Sequence, residues 1–317
     1  MINRIRNLIV VTLVAPFAAN AADINVLWTS GTDDYNTSMQ SVADRAATYD
    51  PASDGALSWN LTFWDGTYDP TFSNFDVLVI GSTCDEVEVS GTGGDGTCGR
   101  TPGFYGNGVT ADGVLAYGTE IDNARGDDSR TFLSGQDADY HQLNNLPGVD
   151  DGPQGFMINA VNWAASGVGL GIVSMTDRIP GGASFGWWTA DGSFLADEIP
   201  DSSVWDYNSQ EVNIGPGQDT FPVNEGLTSD GLSNWNTSSH ACFGDISGYT
   251  AINLAPYPSR TSDTNCAVTI VTAGAEAGDT DGGDTSVNPV PLPAAAWLFG
   301  SAIIGAGVVG RRKKKKA

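Results

Sequence analysis

The chain has 317 residues, with 38 acidic against 14 basic side chains and two histidines. The cations gather at the two ends: between them remain Arg45, Arg100, Arg125, Arg130, Arg178 and Arg260, and six arginines against 38 carboxylates give the body a formal charge of −32. Such a surface repels nucleic acid and anionic lipid, which excludes both as partners of the body, and it favours hydration and association with cations.

Residues 1–21 have the three parts of a secretory signal: Arg4 and Arg6, an apolar run from Leu8 to Phe17, and the cleavage pattern Ala19-Asn20-Ala21. The mature chain is expected to start at Ala22, outside the cytoplasm. Ile24 to Trp28 reads as a short apolar strand running into Thr29-Ser30-Gly31. A helix follows, capped at Asn36 or Thr37, with Met39, Val42, Ala43, Ala46 and Ala47 on one face. Trp59 to Trp64 alternates as a strand. Phe75 to Gly81 is a continuous apolar run suited to a parallel sheet covered on both faces.

The Gly- and Thr-rich stretch 82–108 reads as a loop. Residues 112–123 form a helical pattern weakened by Gly113 and Gly118, and Arg130 to Gly135 is the next strand and its exit. Gly155 to Ser166 reads as a helix and Gly169 to Met175 as another buried strand. Strands alternating with helices predict βαβ units, a parallel sheet and helices on both faces: one α/β body of flavodoxin-like layout over 22–273, with long loops. Residues 180–236 have little periodicity. Trp187, Trp188, Trp205 and Trp235 suggest ordered loops folded over the sheet, and 243–252 and 267–272 read as closing strands. Residues 274–288 form a Gly/Asp/Thr linker without a hydrophobic face.

The C-terminal tail, 289–316, follows a fixed order. A proline motif, Val290-Pro291-Leu292-Pro293-Ala294, opens it. The 17 uncharged residues from Ala294 to Gly310 follow, and Arg311, Arg312, Lys313, Lys314, Lys315 and Lys316 close it. As a helix the apolar run is roughly 25 Å long, enough to cross a slightly thinned bilayer. The basic block would stop it and stay on the cytoplasmic side. The tail resembles the PEP-CTERM sorting signal in its VPLPA form. That resemblance implies an exosortase-type sorting enzyme as partner, cleavage near the proline motif, and delivery of the body to the cell surface or the exopolysaccharide matrix.

Four cysteines in an exported chain predict two disulfides, and proximity favours Cys84–Cys98 and Cys242–Cys266. The linker stretch Asp279 to Asp284 hints at Ca²⁺ but lacks the EF-hand spacing and its final Glu, so a solvated linker is the alternative.

Ligands of an open parallel sheet bind beyond the carboxyl ends of the strands. That rule collects Ser134, Asp137, Asp139 and His141 behind one strand, and His240 lies before another. In an extended segment Asp137, Asp139 and His141 would point the same way and offer two carboxylates and an imidazole to a metal or a reacting group. The alternative is an Asx-type turn in which Asp137 caps nearby amides, and His240 reads alternatively as a hydrogen-bonded loop residue beside a disulfide. Ser134 sits where a nucleophile would. The elbow pattern G-x-S-x-G fails, however, with Phe132 and Gln136 at the two glycine positions. No metal site is assigned.

The strand order, the segment Arg130 to Asp137 and the later Ser238-x-His240-x-x-Phe243 resemble the class I glutamine amidotransferase-like superfamily, in the branch similar to trehalose-utilisation proteins, over Ile24 to Thr272. The resemblance implies a fold only. The family's Cys-His-Glu triad does not carry over, because the nucleophile motif is missing and no Glu follows His240 in the family's way.

Three readings of the body follow: a surface or matrix protein without catalytic machinery, an extracellular hydrolase or carbohydrate-active enzyme built on Ser134, Asp137, His141 and His240, or a calcium- or glycan-binding adhesive domain using the loop tryptophans. The two histidines separate the second from the others: if they lie more than about 10 Å apart, or if either is buried away from a cleft, they cannot share one site.

Overall fold

The computed structural model describes residues 23–82, 111–144, 152–176, 187–257 and 265–272, apart from positions 32, 54, 67 and 236. The parallel strands are β1 (Ile24–Thr29), β2 (Trp59–Trp64), β3 (Val77–Ile80), β4 (Thr131–Ser134) and β5 (Gly171–Ser174). They lie in the order β2-β1-β3-β5-β4. Every residue of β3, β4 and β5 is buried. That burial is the reason β3 reads as a continuous apolar run rather than an alternating one.

Successive side chains of a strand point to opposite faces, and the sheet has a core on each. Val26, Trp28, Val79, Phe132 and Val173 pack against α1 (Asp33–Ala46) and α5 (Gly152–Ala165), through Met39, Val42, Phe156 and Val161. Leu27, Leu78, Ile80, Leu133 and Ile172 pack against α2 (Ala111–Ala116) and α3 (Gly118–Arg125), with Trp187 and Trp188. The body is therefore mixed α/β around a central, mostly parallel sheet, as the alternation of elements predicts.

Differences from the expected boundaries have local causes. Helix α1 starts at Asp33 rather than at Asn36 or Thr37: two carboxylates in its first turn suit the positive end of the helix dipole, and Tyr35 is already buried. Ala47, expected on the apolar face, is exposed past the helix end. The pattern over 112–123 is two helices broken at Tyr117. Gly118 is required there, because a Cβ would meet the Gly192 carbonyl oxygen at 2.4 Å.

The aperiodic stretch 180–236 holds two strands, β6 (Val204–Ser209) and β7 (Asn213–Ile214), and the short helix α6 (Ser229–Leu232). β8 (Ser239–Phe243), β9 (Tyr249–Pro256) and β10 (Asn265–Thr272) complete the sheet in antiparallel fashion. β10 pairs with β4 along Thr269–Val271 and with β8 at Ala267, so β8 begins where β4 leaves off. Two backbone bonds join the pieces: Gly135 N–H donates to the Val268 carbonyl (2.7 Å), and His240 N–H donates to the Gly135 carbonyl (2.7 Å). A Cβ at residue 135 would lie 2.3 Å from the Ala241 carbonyl oxygen, so only glycine admits β8 this close.

Cys242 and Cys266 form a disulfide between β8 and β10, with Cα atoms 5.7 Å apart. Cys84 and Cys98 lie outside the described residues, as do the signal segment, the linker with its Asp279–Asp284 stretch, and the whole sorting tail. No helix of the described residues is long and apolar enough to cross a membrane.

Candidate functional site

The β4–α4 turn, Gly135 to Asp137, carries the chain off the carboxyl edge of the sheet into α4 (Ala138–Asn144). This segment is helical, not extended, which corrects the expectation that Asp137, Asp139 and His141 share one direction. Residues four apart lie on one face of a helix and residues two apart do not. Asp137 therefore meets His141, and Asp139 turns away.

Asp139 enters a second, separate group. It accepts from the Tyr35 hydroxyl (2.8 Å), the Ser82 amide (2.8 Å) and the Ser82 hydroxyl (2.5 Å), and Tyr35 in turn accepts from the Trp28 indole (3.0 Å). Burial pushes the Asp139 pKa up, the hydrogen bonds from Ser82 and Tyr35 oppose that, and the Asp137 charge adds to it. The group clamps α1 and α4 over the ends of β1 and β3. Gly81 makes room for it, since a Cβ there would meet the Tyr35 hydroxyl at 2.3 Å.

Asp137 is the centre of the first group. His141 Nε2 lies 2.9 Å from its Oδ1 and His240 Nε2 lies 3.2 Å from its Oδ2. The three residues are 4%, 1% and 5% exposed for Asp137, His141 and His240. The two histidines thus meet on one carboxylate, 99 residues apart in sequence. Burial alone would raise the Asp137 pKa; the charge of His240 and the closeness of both imidazoles outweigh it and hold the group at about 2. Asp137 is an anion at neutral pH, and it caps no backbone amide by an Asx turn in any hydrogen bond of the described residues.

The proton positions are constrained by the outer partners. His141 Nε2 also lies 3.0 Å from the Thr237 carbonyl, to which its N–H points. Asp137 Oδ1 and His141 Nδ1 are then left without a hydrogen-bond partner, as is the Oε1 of the adjacent buried Gln136. His240 Nδ1 lies 2.9 Å from Asn208 Oδ1. An amide oxygen only accepts, so Nδ1 carries a proton. Thr237 has φ of +94°, an unfavourable region for a β-branched residue. Gln210 fixes it there, accepting from the Thr237 amide at 2.7 Å.

Ser134 does not join this group. Its hydroxyl is buried against Thr269 Oγ1 (3.1 Å) and accepts from the Gln136 amide (3.1 Å). No described hydroxyl or thiol is hydrogen-bonded to either imidazole, and Cys242 is held in its disulfide. Trp187, Trp188 and Trp235 are at most 1% exposed, so their ring faces are not open to a sugar. Asn208, Gln210 and Thr237 are the members that sequence reading missed; they lie in the aperiodic stretch, and nothing local distinguishes them from other loop polar residues. Compared with protein-family models, with curated proteins and with solved structures, the chain gives no match.

Proposed function

We propose that the protein is an exported scaffold of the cell surface or exopolysaccharide matrix, put in place by an exosortase-type enzyme that reads Val290 to Ala294 and cuts near it. The observation that carries the reading for the body is that its chemically capable groups face inward. Asp137, His141 and His240 are turned toward one another, with at most 5% exposure, and Ser134 is fully buried. A strongly acidic, disulfide-closed body presents hydration and charge rather than a reacting group. We read its fold as a variant of the flavodoxin-like layout, within the amidotransferase-like superfamily that the sequence resembles. The flavodoxin strand order is 2-1-3-4-5, and here the last two strands are exchanged.

Replacing Pro291 and Pro293 together by Ala is expected to leave the uncut precursor in the inner membrane fraction, measured by immunoblot of fractionated cells. Normal processing of that variant would remove the sorting reading. A second reading, an extracellular hydrolase, is favoured by the convergence of both histidines on Asp137. Turnover of glycosides or esters by the purified chain, abolished in His141→Gln, would carry it over the scaffold.

A further inference from the structure

Asp137, His141 and His240 bury three metal-capable side chains together, and Asp137 Oδ1 and His141 Nδ1 among them have no hydrogen-bond partner. His240 spends its Nδ1 proton on Asn208. Its Nε2 lies 3.2 Å from Asp137 Oδ2. On the other side, the single Nε2 proton of His141 faces two acceptors, Thr237 O at 3.0 Å and Asp137 Oδ1 at 2.9 Å, and Oδ1 goes without. Unpaired buried acceptors of this kind are rare in folded proteins and call for an explanation.

We propose that Asp137, His141 and His240 bind a divalent first-row transition metal ion, of which zinc is the best fit. One donor atom from each residue lies within 4.8 Å of the others. Ligands about 2.0–2.2 Å from one tetrahedral zinc ion are separated by roughly 3.3–3.6 Å, so the observed nitrogen-to-oxygen distances of 2.9 and 3.2 Å need to open by only about half an ångström or less. Two imidazoles and one carboxylate suit zinc, and the cation would give the orphan oxygen of Asp137 a partner. Ligation through His141 Nε2 would displace the proton that this nitrogen directs to the Thr237 carbonyl. Asn208 is the positioning residue: a hydrogen bond to the far nitrogen is what orients a metal-bound imidazole and fixes its tautomer. Burial and the lack of a nearby nucleophile make this a site that fastens β8 to the β4–α4 turn. A metal–ligand set of this kind contributes to folding directly.

The test uses the full chain, stripped with a chelator and titrated with Zn²⁺ alone in a calorimeter, since surface carboxylates will bind the ion weakly in any case. The expected result is one saturable equivalent with micromolar or tighter affinity, together with a rise in Tm. His240→Gln should abolish that equivalent. Asn208→Ala, which keeps all three ligands, should weaken it 10–100-fold. Circular dichroism of each variant confirms that it is folded, and the Asn208 variant keeps the test open if His240→Gln is not. Absence of a saturable equivalent in the wild-type chain overturns the proposal, as does one unchanged by both substitutions.

Discussion

At the scale of single residues, the account rests on Asp137. Sequence alone could nominate Asp137, His141 and His240 but not choose between them and Ser134 or Asp139, because that choice depends on whether the segment after β4 is extended or helical. One step of two residues is enough to separate them: Asp137 faces the histidines and Asp139 faces Tyr35 and Ser82. Asp137→Ala is expected to lower stability by about 3 kcal/mol, the usual cost of stripping one partner from a buried charge group. For a body of this size that is a fall in Tm of roughly 6–12 °C, read by thermal denaturation. A change below about 1 kcal/mol would mean that the two imidazoles do not depend on the carboxylate.

At the scale of elements, the parallel strands and α1 and α5 were legible, because buried strands and amphipathic helices leave periodic signals in the chain. β3 is read directly from its run of Val77, Leu78, Val79 and Ile80. The turn that builds the site was not legible. It depends on Gly135, whose need for close approach by the Ala241 carbonyl cannot be seen until β8 is in place. β6 and β7 were hidden as well, since β6 alternates only half-buried side chains at the edge of the sheet. The Cys242–Cys266 pair was anticipated, and its place in the sheet explains its use. It ties β8 to β10 two residues beyond His240, across a sequence separation of 24. Replacing both cysteines by Ser is expected to cost about 3 kcal/mol in chemical denaturation, from the loop entropy returned to the unfolded chain. His240 should also lose its fixed position, so zinc affinity should fall in the same variant. Equal stability of the two proteins would show that the antiparallel pairing holds β8 unaided.

At the scale of the whole molecule, two systems are laid on one chain. The address proposed for the ends rests on short local motifs, which are available from sequence without a fold. The body carries an acidic exterior and a histidine–carboxylate group at the carboxyl edge of its sheet, where the chain reverses direction between neighbouring strands. That group brings together the β4–α4 segment, Asn208 of β6, and β8 with the loop before it, so that His141 and His240 meet across 99 residues of sequence. Its existence is a property of the topology and not of any motif. The claim that topology serves a metal ion is tested most directly by anomalous diffraction at the zinc edge, from crystals of the full chain grown with one equivalent of Zn²⁺. The account predicts a single strong peak about 2.0–2.2 Å from His240 Nε2, a nitrogen of His141 and a carboxylate oxygen of Asp137. A map with no peak there, and with a direct hydrogen bond from His240 Nε2 to Asp137, would contradict it.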